Sequence, residues 1–261
     1  MKTLLAIEWM KLRKYRTFWV LILLFAGLLP LWNIFIKSGI LKIGGGGINV
    51  LSQVYSFSYV WENVGFWASM FVWFISILII IITTNEYQYR TNRQNIIDGW
   101  SRLDFYHAKW GVVFSLSVST TIYVFLIGLL IAVTNSGMTG FPGHIQYLLY
   151  IFLLSLNYYS FCLLVSIFFK RSGLAIGMFI FYCMIIETLL KYLINYIAEG
   201  AGNYLPLQCS DELLPFPILD MVKAMAQVKD AGSPVMYSLA SLAWIVIYYF
   251  VGRNKLLKSD W

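Results

Sequence analysis

Glu86, Arg93, Asp98, Trp100 and Arg102 fall within one polar stretch, TNEYQYRTNRQNIIDGWSRLDFYHAK at 84–109, that separates two strongly apolar runs. Residues 92–100 suit a short helix. Ile96, Ile97, Trp100 and Leu103 repeat at helical spacing as one apolar stripe, which the aliphatic stem of Arg93 extends by a turn. Gly99 is placed to end or bend that helix, leaving Trp100 at its tip among Asp98, Ser101 and Arg102. An apolar tip with a charged rim suits insertion into a groove on another protein. An interfacial helix that only caps the neighbouring spans fits the same spacing.

The second charged group lies inside an apolar run. Glu187 and Lys191 stand four apart with Glu first, the better order for a helical ion pair. Ionisable residues within a membrane span are expensive, and mark a pathway or a helix–helix or subunit contact. Asn33, Ser155 and Asn157 are polar neighbours on other runs that suit the lining of such a pathway.

Catalytic chemistry has little to work with. The two histidines, His107 and His144, fall in separate segments at opposite ends of apolar runs and read as headgroup-facing polar residues. HExxH, GxSxG and GxxxxGK[ST] are absent from the sequence, and no metal-ligand spacing occurs. Cys162, Cys183 and Cys209 give no disulfide framework and read as small buried hydrophobes.

The elements that position these residues follow from composition. The 261 residues are 60% hydrophobic and 12% charged, with mean hydropathy +0.73. Soluble domains carry about twice that share of charge. The apolar runs are continuous (FISILIIII at 74–82) and not alternating. In lipid, backbone groups must pair within their own segment, so the fold class is an all-α integral membrane protein. Six spans are expected at 18–36, 65–83, 109–133, 144–169, 174–198 and 235–251. The first apolar run is long enough to span and is read as an uncleaved transmembrane helix.

Charge sets the topology. All the Lys and Arg except Lys37, Lys42, Lys191, Lys223 and Lys229 fall before span 1, between spans 2 and 3, between spans 4 and 5, or after span 6. The positive-inside rule then places both termini in the cytoplasm of a multi-pass protein of the cell (inner) membrane. The net charge of +7 reports this topology and not nucleic-acid binding.

Residues 1–17 read as an interfacial helix. Leu4, Leu5, Trp9, Leu12 and Tyr15 share an arc that buries among membrane lipids while the basic residues meet anionic headgroups. Glu8 sits within that arc, either paired to Lys11 or held for a cytoplasmic partner. Pro30 is expected to kink span 1. GGGG at 44–47 reads as a linker. The outer segment, 199–234, is too apolar for a free loop; it either re-enters the outer membrane face or caps the bundle, with a short helix over 218–228.

This plan resembles the membrane-spanning subunit of an ABC-2 type ABC transporter over essentially the whole chain. The sharpest local likeness is NEYQYRTNRQNIIDGWSRLDFYHAKW, 85–110. It is similar to the family pattern of an acidic residue and a Thr after span 2, a coupling helix, then Ser-Arg and a Lys entering span 3. The matching positions are Glu86, Thr91, Ser101, Arg102 and Lys109. The sequence departs from the pattern at Arg90-Thr91 and Gly99-Trp100, where many members carry Gly-Thr or a Pro.

The resemblance implies a cytoplasmic coupling loop over 84–108 whose short coupling helix docks on a separate ABC ATPase dimer, through Glu86, Arg93, Ile96, Ile97, Asp98, Trp100 and Arg102. It implies a second permease subunit, identical or related, with ATP and Mg bound in the ATPase and not in this chain. ATP-driven transport, most simply export, is the expected function. The rivals are a non-transporting anchor or assembly factor, a membrane enzyme, and a proton-coupled transporter using Glu187.

Overall fold

The computed structural model describes residues 2–38, 55, 59–97, 99–136, 144–216 and 232–258. The GGGG run, Asp98 and the helix expected over 218–228 lie outside the described residues. The elements are α1 (Lys2–Arg13), α2 (Arg16–Lys37), α3 (Val60–Gln88), α4 (Thr91–Ile97), α5 (Arg102–Ser136), α6 (Tyr147–Phe169), α7 (Ser172–Phe181), α8 (Glu187–Ile197), α9 (Gln208–Asp211) and α10 (Pro234–Leu257). A π-helical turn, Tyr182–Ile186, joins α7 and α8 into one long helix. There is no strand among the described residues. Among the described residues, six helices are long and apolar enough to cross a membrane: α2, α3, α5, α6, the α7–α8 helix and α10.

The continuous apolar runs become helices because each backbone N–H can bond within its own segment. α2 runs on through Pro30 as one helix. α5 begins at Arg102, earlier than its apolar run suggests, because Ser101 and Asp104 form a capping box. Ser101 Oγ accepts from the Asp104 N–H at 3.1 Å, and Asp104 Oδ2 accepts from the Ser101 N–H at 3.0 Å.

α6 is the central helix. Ile151, Leu154, Tyr159 and Cys162 are fully buried, and α3, α5, α7 and α10 pack around it. Tyr159 and Asn157 find partners inside the protein. Tyr159 shares a hydrogen bond with Thr120 at 3.0 Å, and Asn157 donates to Pro206 O at 2.8 Å and Ser210 Oγ at 2.9 Å. α2 and the α7–α8 helix lie outside, with Leu23, Leu31, Met184, Leu189 and Leu193 exposed, as suits lipid.

α3 and α5 meet at an aromatic contact. Trp61, fully buried, stacks on Phe125 with centroids 5.9 Å apart. A Cβ at Gly128 would stand 2.8 Å from the Trp61 ring. Gly128→Val therefore forces α3 and α5 apart, a loss of about 1–3 kcal/mol. The expected result is a lower thermal unfolding midpoint for the purified chain in detergent; an unchanged midpoint would show that this contact yields freely.

Candidate functional site

The ends of α1, α3, α5, α6 and α10 that carry most of the basic residues gather at one end of the bundle. There the first two turns of α5 act as a hub. Arg102 Nη1 donates to Leu257 O, at the end of α10, at 2.8 Å. Tyr106 Oη donates to Tyr249 O at 2.8 Å, and the absent side chain of Gly252 gives its ring room. His107 stacks on Tyr249 and shares a hydrogen bond with its hydroxyl at 3.0 Å, so it faces a helix and not headgroups.

Lys109 is the centre of the hub. Its Nζ lies 2.6 Å from Glu8 Oε2 on α1 and 2.6 Å from Glu86 Oε1 on α3. Lys11 Nζ closes the square at 3.2 Å from each acid. Two amines and two carboxylates give a neutral group. Leu5 presses against Gly111 on α5, and Tyr15 accepts from Asn85 Nδ2 on α3 at 2.7 Å.

This network corrects three expectations. Glu8 does bond Lys11, but its shorter contact is to Lys109, a residue distant in sequence; it is an internal link. Leu12 does not face lipid with the rest of the expected arc: it is buried against Leu78 and Val112, while Trp9 is half exposed. Glu86 is also buried and turned to Lys109 and Lys11, so it is no surface contact for a partner.

α4 differs from its expected face as well. Its buried residues are Asn92 and Asn95, not the isoleucines. The helix stops after Ile97, which breaks the proposed stripe before Trp100 and Leu103. Gly99, at φ 98°, supplies the left-handed turn. The Gly99 N–H bonds Ile96 O and the Trp100 N–H bonds Asn95 O, both at 3.0 Å, which is the Schellman arrangement. The turn folds Trp100 inward onto the core, with Lys11 Nζ 5.6 Å from its ring centroid. The exposed tip is Ile97, 77% accessible, beside exposed Arg93 and half-buried Ile96. Arg102 points at α10 and not outward from the tip.

At the other end, Glu187 and Lys191 each turn to the outer segment instead of to each other. Glu187 Oε1 accepts the N–H groups of Leu207 at 2.6 Å and Gln208 at 3.0 Å, opening the short α9. Lys191 Nζ meets Glu212 at 2.6 Å. Free backbone donors and a second carboxylate on a segment folded back against the span outcompete the local pair. That segment, from 199 to 216, is seated on α6 through Asn157 and through Tyr158, whose hydroxyl donates to Asp211. Asn157 therefore holds the cap, Ser155 bonds Phe152 O, and Asn33 bonds Leu29 O and Tyr55; none of the three lines a channel within this chain.

A family model described as "ABC-2 family transporter protein" matches residues 4–186. That match runs from α1 through the π-helical turn, and the chain belongs to this family. It is a membrane transport component and not itself the ATPase. No curated protein matches the chain.

Lys109→Met leaves two buried carboxylates sharing one half-buried amine, that of Lys11. The expected loss is about 3–5 kcal/mol, read as a lower unfolding midpoint. Glu8→Gln/Lys109→Met, with one charge of each sign removed, should recover part of it; no recovery would mean the two residues act independently. The pH dependence has a definite sign. Burial alone raises the Glu8 pKa, but Lys109 and Lys11 together outweigh it and hold the carboxyl below its ordinary 4.5. Its contribution is complete above the ordinary value and is lost as pH falls through the lower folded value. Unfolding midpoints should drop on acidification below about pH 4.5 in wild type, and drop less in Glu8→Gln.

Proposed function

We propose that this ABC-2 family chain is the permease of an ATP-driven exporter, and that a separate ABC ATPase grips it through α4. The observation that carries this reading is the build of α4. Its exposed apolar tip, Ile97, stands beside Arg93 and Ile96 on a short helix with two buried asparagines and a glycine-closed end. A rigid projection with an apolar point and a charged neighbour suits a groove on a partner. Asp98, outside the described residues, completes the proposed contact set. Trp100, Arg102 and Glu86 position the helix from behind.

The basic end faces the cytoplasm of a cell membrane by the positive-inside rule, which brings both termini and α4 to the side where ATP is made available. ATP and Mg bind in the ATPase dimer. A second permease subunit, identical or related, completes the pathway, with the exposed faces of α2 and the α7–α8 helix open to it. Glu187 and Lys191 serve the pathway by fixing the outer cap.

Coupling follows from connectivity. α4 joins α3 and α5 through very short links. α1, α3 and α5 share Lys109, and α5 holds the end of α10. When ATP closes the ATPase dimer, a displacement of α4 moves these helix ends together. This is rigid-body switching and needs no deformation of a span.

The test is co-purification from native membranes in mild detergent, with bound proteins identified and ATP hydrolysis assayed. Ile97→Asp should lose the ATPase while keeping the wild-type unfolding midpoint. Trp100→Ala should differ by lowering that midpoint, since the ring is packed on the core. An Ile97→Asp chain that retains its ATPase and transports normally would sink the docking assignment.

A further inference from the structure

Between the end of α3 and the link joining α6 to α7 is a recess of about 320 Å³. Arg90 and Arg93 line it from one side, Lys170 and Arg171 from the other. No carboxylate lines it among the described residues. The side chains of Arg90, Arg93 and Arg171 make no hydrogen bond or ion pair among the described residues. The three guanidinium groups around one small volume repel each other, and an anion placed among them removes that cost.

Further observations point to the same kind of ligand. Asn92 lines the recess and is only 5% exposed, yet its amide has no hydrogen-bond partner among the described residues. Arg90 and Lys170 both hold positive φ, 57° and 51°, a backbone region that long side chains seldom adopt. α7 starts directly behind Arg171 with no side-chain cap, so its first-turn N–H groups add to the positive field.

We propose that this recess holds the phosphate headgroup of an anionic phospholipid as a fixed ligand, distinct from whatever is transported. Depth favours a lipid over a soluble anion. Tyr87 and Phe169, in the last turns of two spanning helices, form the aromatic part of the wall, so the recess sits where the helices leave the membrane. Lys170 Nζ lies 5.5 Å from the centroid of the Tyr87 ring, which ties the basic side of the recess to its aromatic wall. Basic recesses between spans on the cytoplasmic side are suited to anionic headgroups. A concave site of this size also suits a headgroup better than an acidic protein surface, which would have to reach past the projecting tip of α4. The lipid would bridge the α3–α4 turn and the α6–α7 link.

The test uses the full chain purified in detergent, with phosphatidylglycerol, phosphatidylcholine or inorganic phosphate added, and bound lipid counted by native mass spectrometry. Wild type should retain phosphatidylglycerol over phosphatidylcholine by about tenfold or more. Lys170→Asn/Arg171→Gln, with asparagine chosen to tolerate the left-handed backbone at 170, should lose that preference. Lys255→Gln/Lys258→Gln removes two exposed cations elsewhere at the same end and should keep it. If the first variant unfolds, Arg90→Asn reads the same recess. Equal retention of the two lipids by wild type, equal loss in the control pair, or displacement of phosphatidylglycerol by millimolar inorganic phosphate would each overturn the proposal.

Discussion

One ammonium shared by two carboxylates holds the basic end of this bundle together. Lys109 is 3% exposed and bonds Glu8 and Glu86 at equal distance, on helices that no short loop connects. A buried charge of this kind is costly unless fully partnered. α1 therefore lies against the spans with its acid turned in, and α3 extends past its apolar run to bring Glu86 into reach. The capping box at Ser101 starts α5 early enough to add the turns that hold Lys109, Tyr106 and Arg102. The Ser-Arg and Lys positions of the family pattern thus acquire separate physical tasks: one starts a helix, one closes the end of another, and one ties three together.

The same end shows how a short helix can project and still be rigid. α4 is too short to be stable alone. It stands because Asn92 and Asn95 are buried, because Gly99 ends it in a closed turn, and because Trp100 is folded inward immediately after. Its apolar tip, Ile97, is left exposed along with the polar Thr91, Arg93 and Gln94. Force applied there reaches α3 and α5 through a few residues, and the charge network spreads it to α1 and α10.

The spans were legible because continuous apolar runs of that length have few other solutions, and the end of α4 was legible because glycine has few rivals in a left-handed turn. The inward face of α4 was not. Periodicity assigns burial to apolar residues, but this helix buries two asparagines and leaves Ile97 out. Glu8 stood out as a misfit, yet its partner lay about a hundred residues away and nothing in spacing pointed to it. Ser101 and Asp104 carried a readable capping signal that the apolar count at 109 overrode. The Glu187–Lys191 pair failed for the opposite reason. Local spacing was ideal, but a segment far along the chain folded back and offered Glu187 two backbone donors.

The π turn at Tyr182–Ile186 gives the fifth span one residue more than a regular helix of its path would need. An unbroken α-helix of the same length would swing Glu187 and Lys191 by about 100° around the axis, away from the backbone amides and the acid they now meet, whereas removing the surplus residue together with the turn would leave them where they are. The wide turn, invisible to any count of hydrophobicity, thus lets a longer chain keep the outer cap seated.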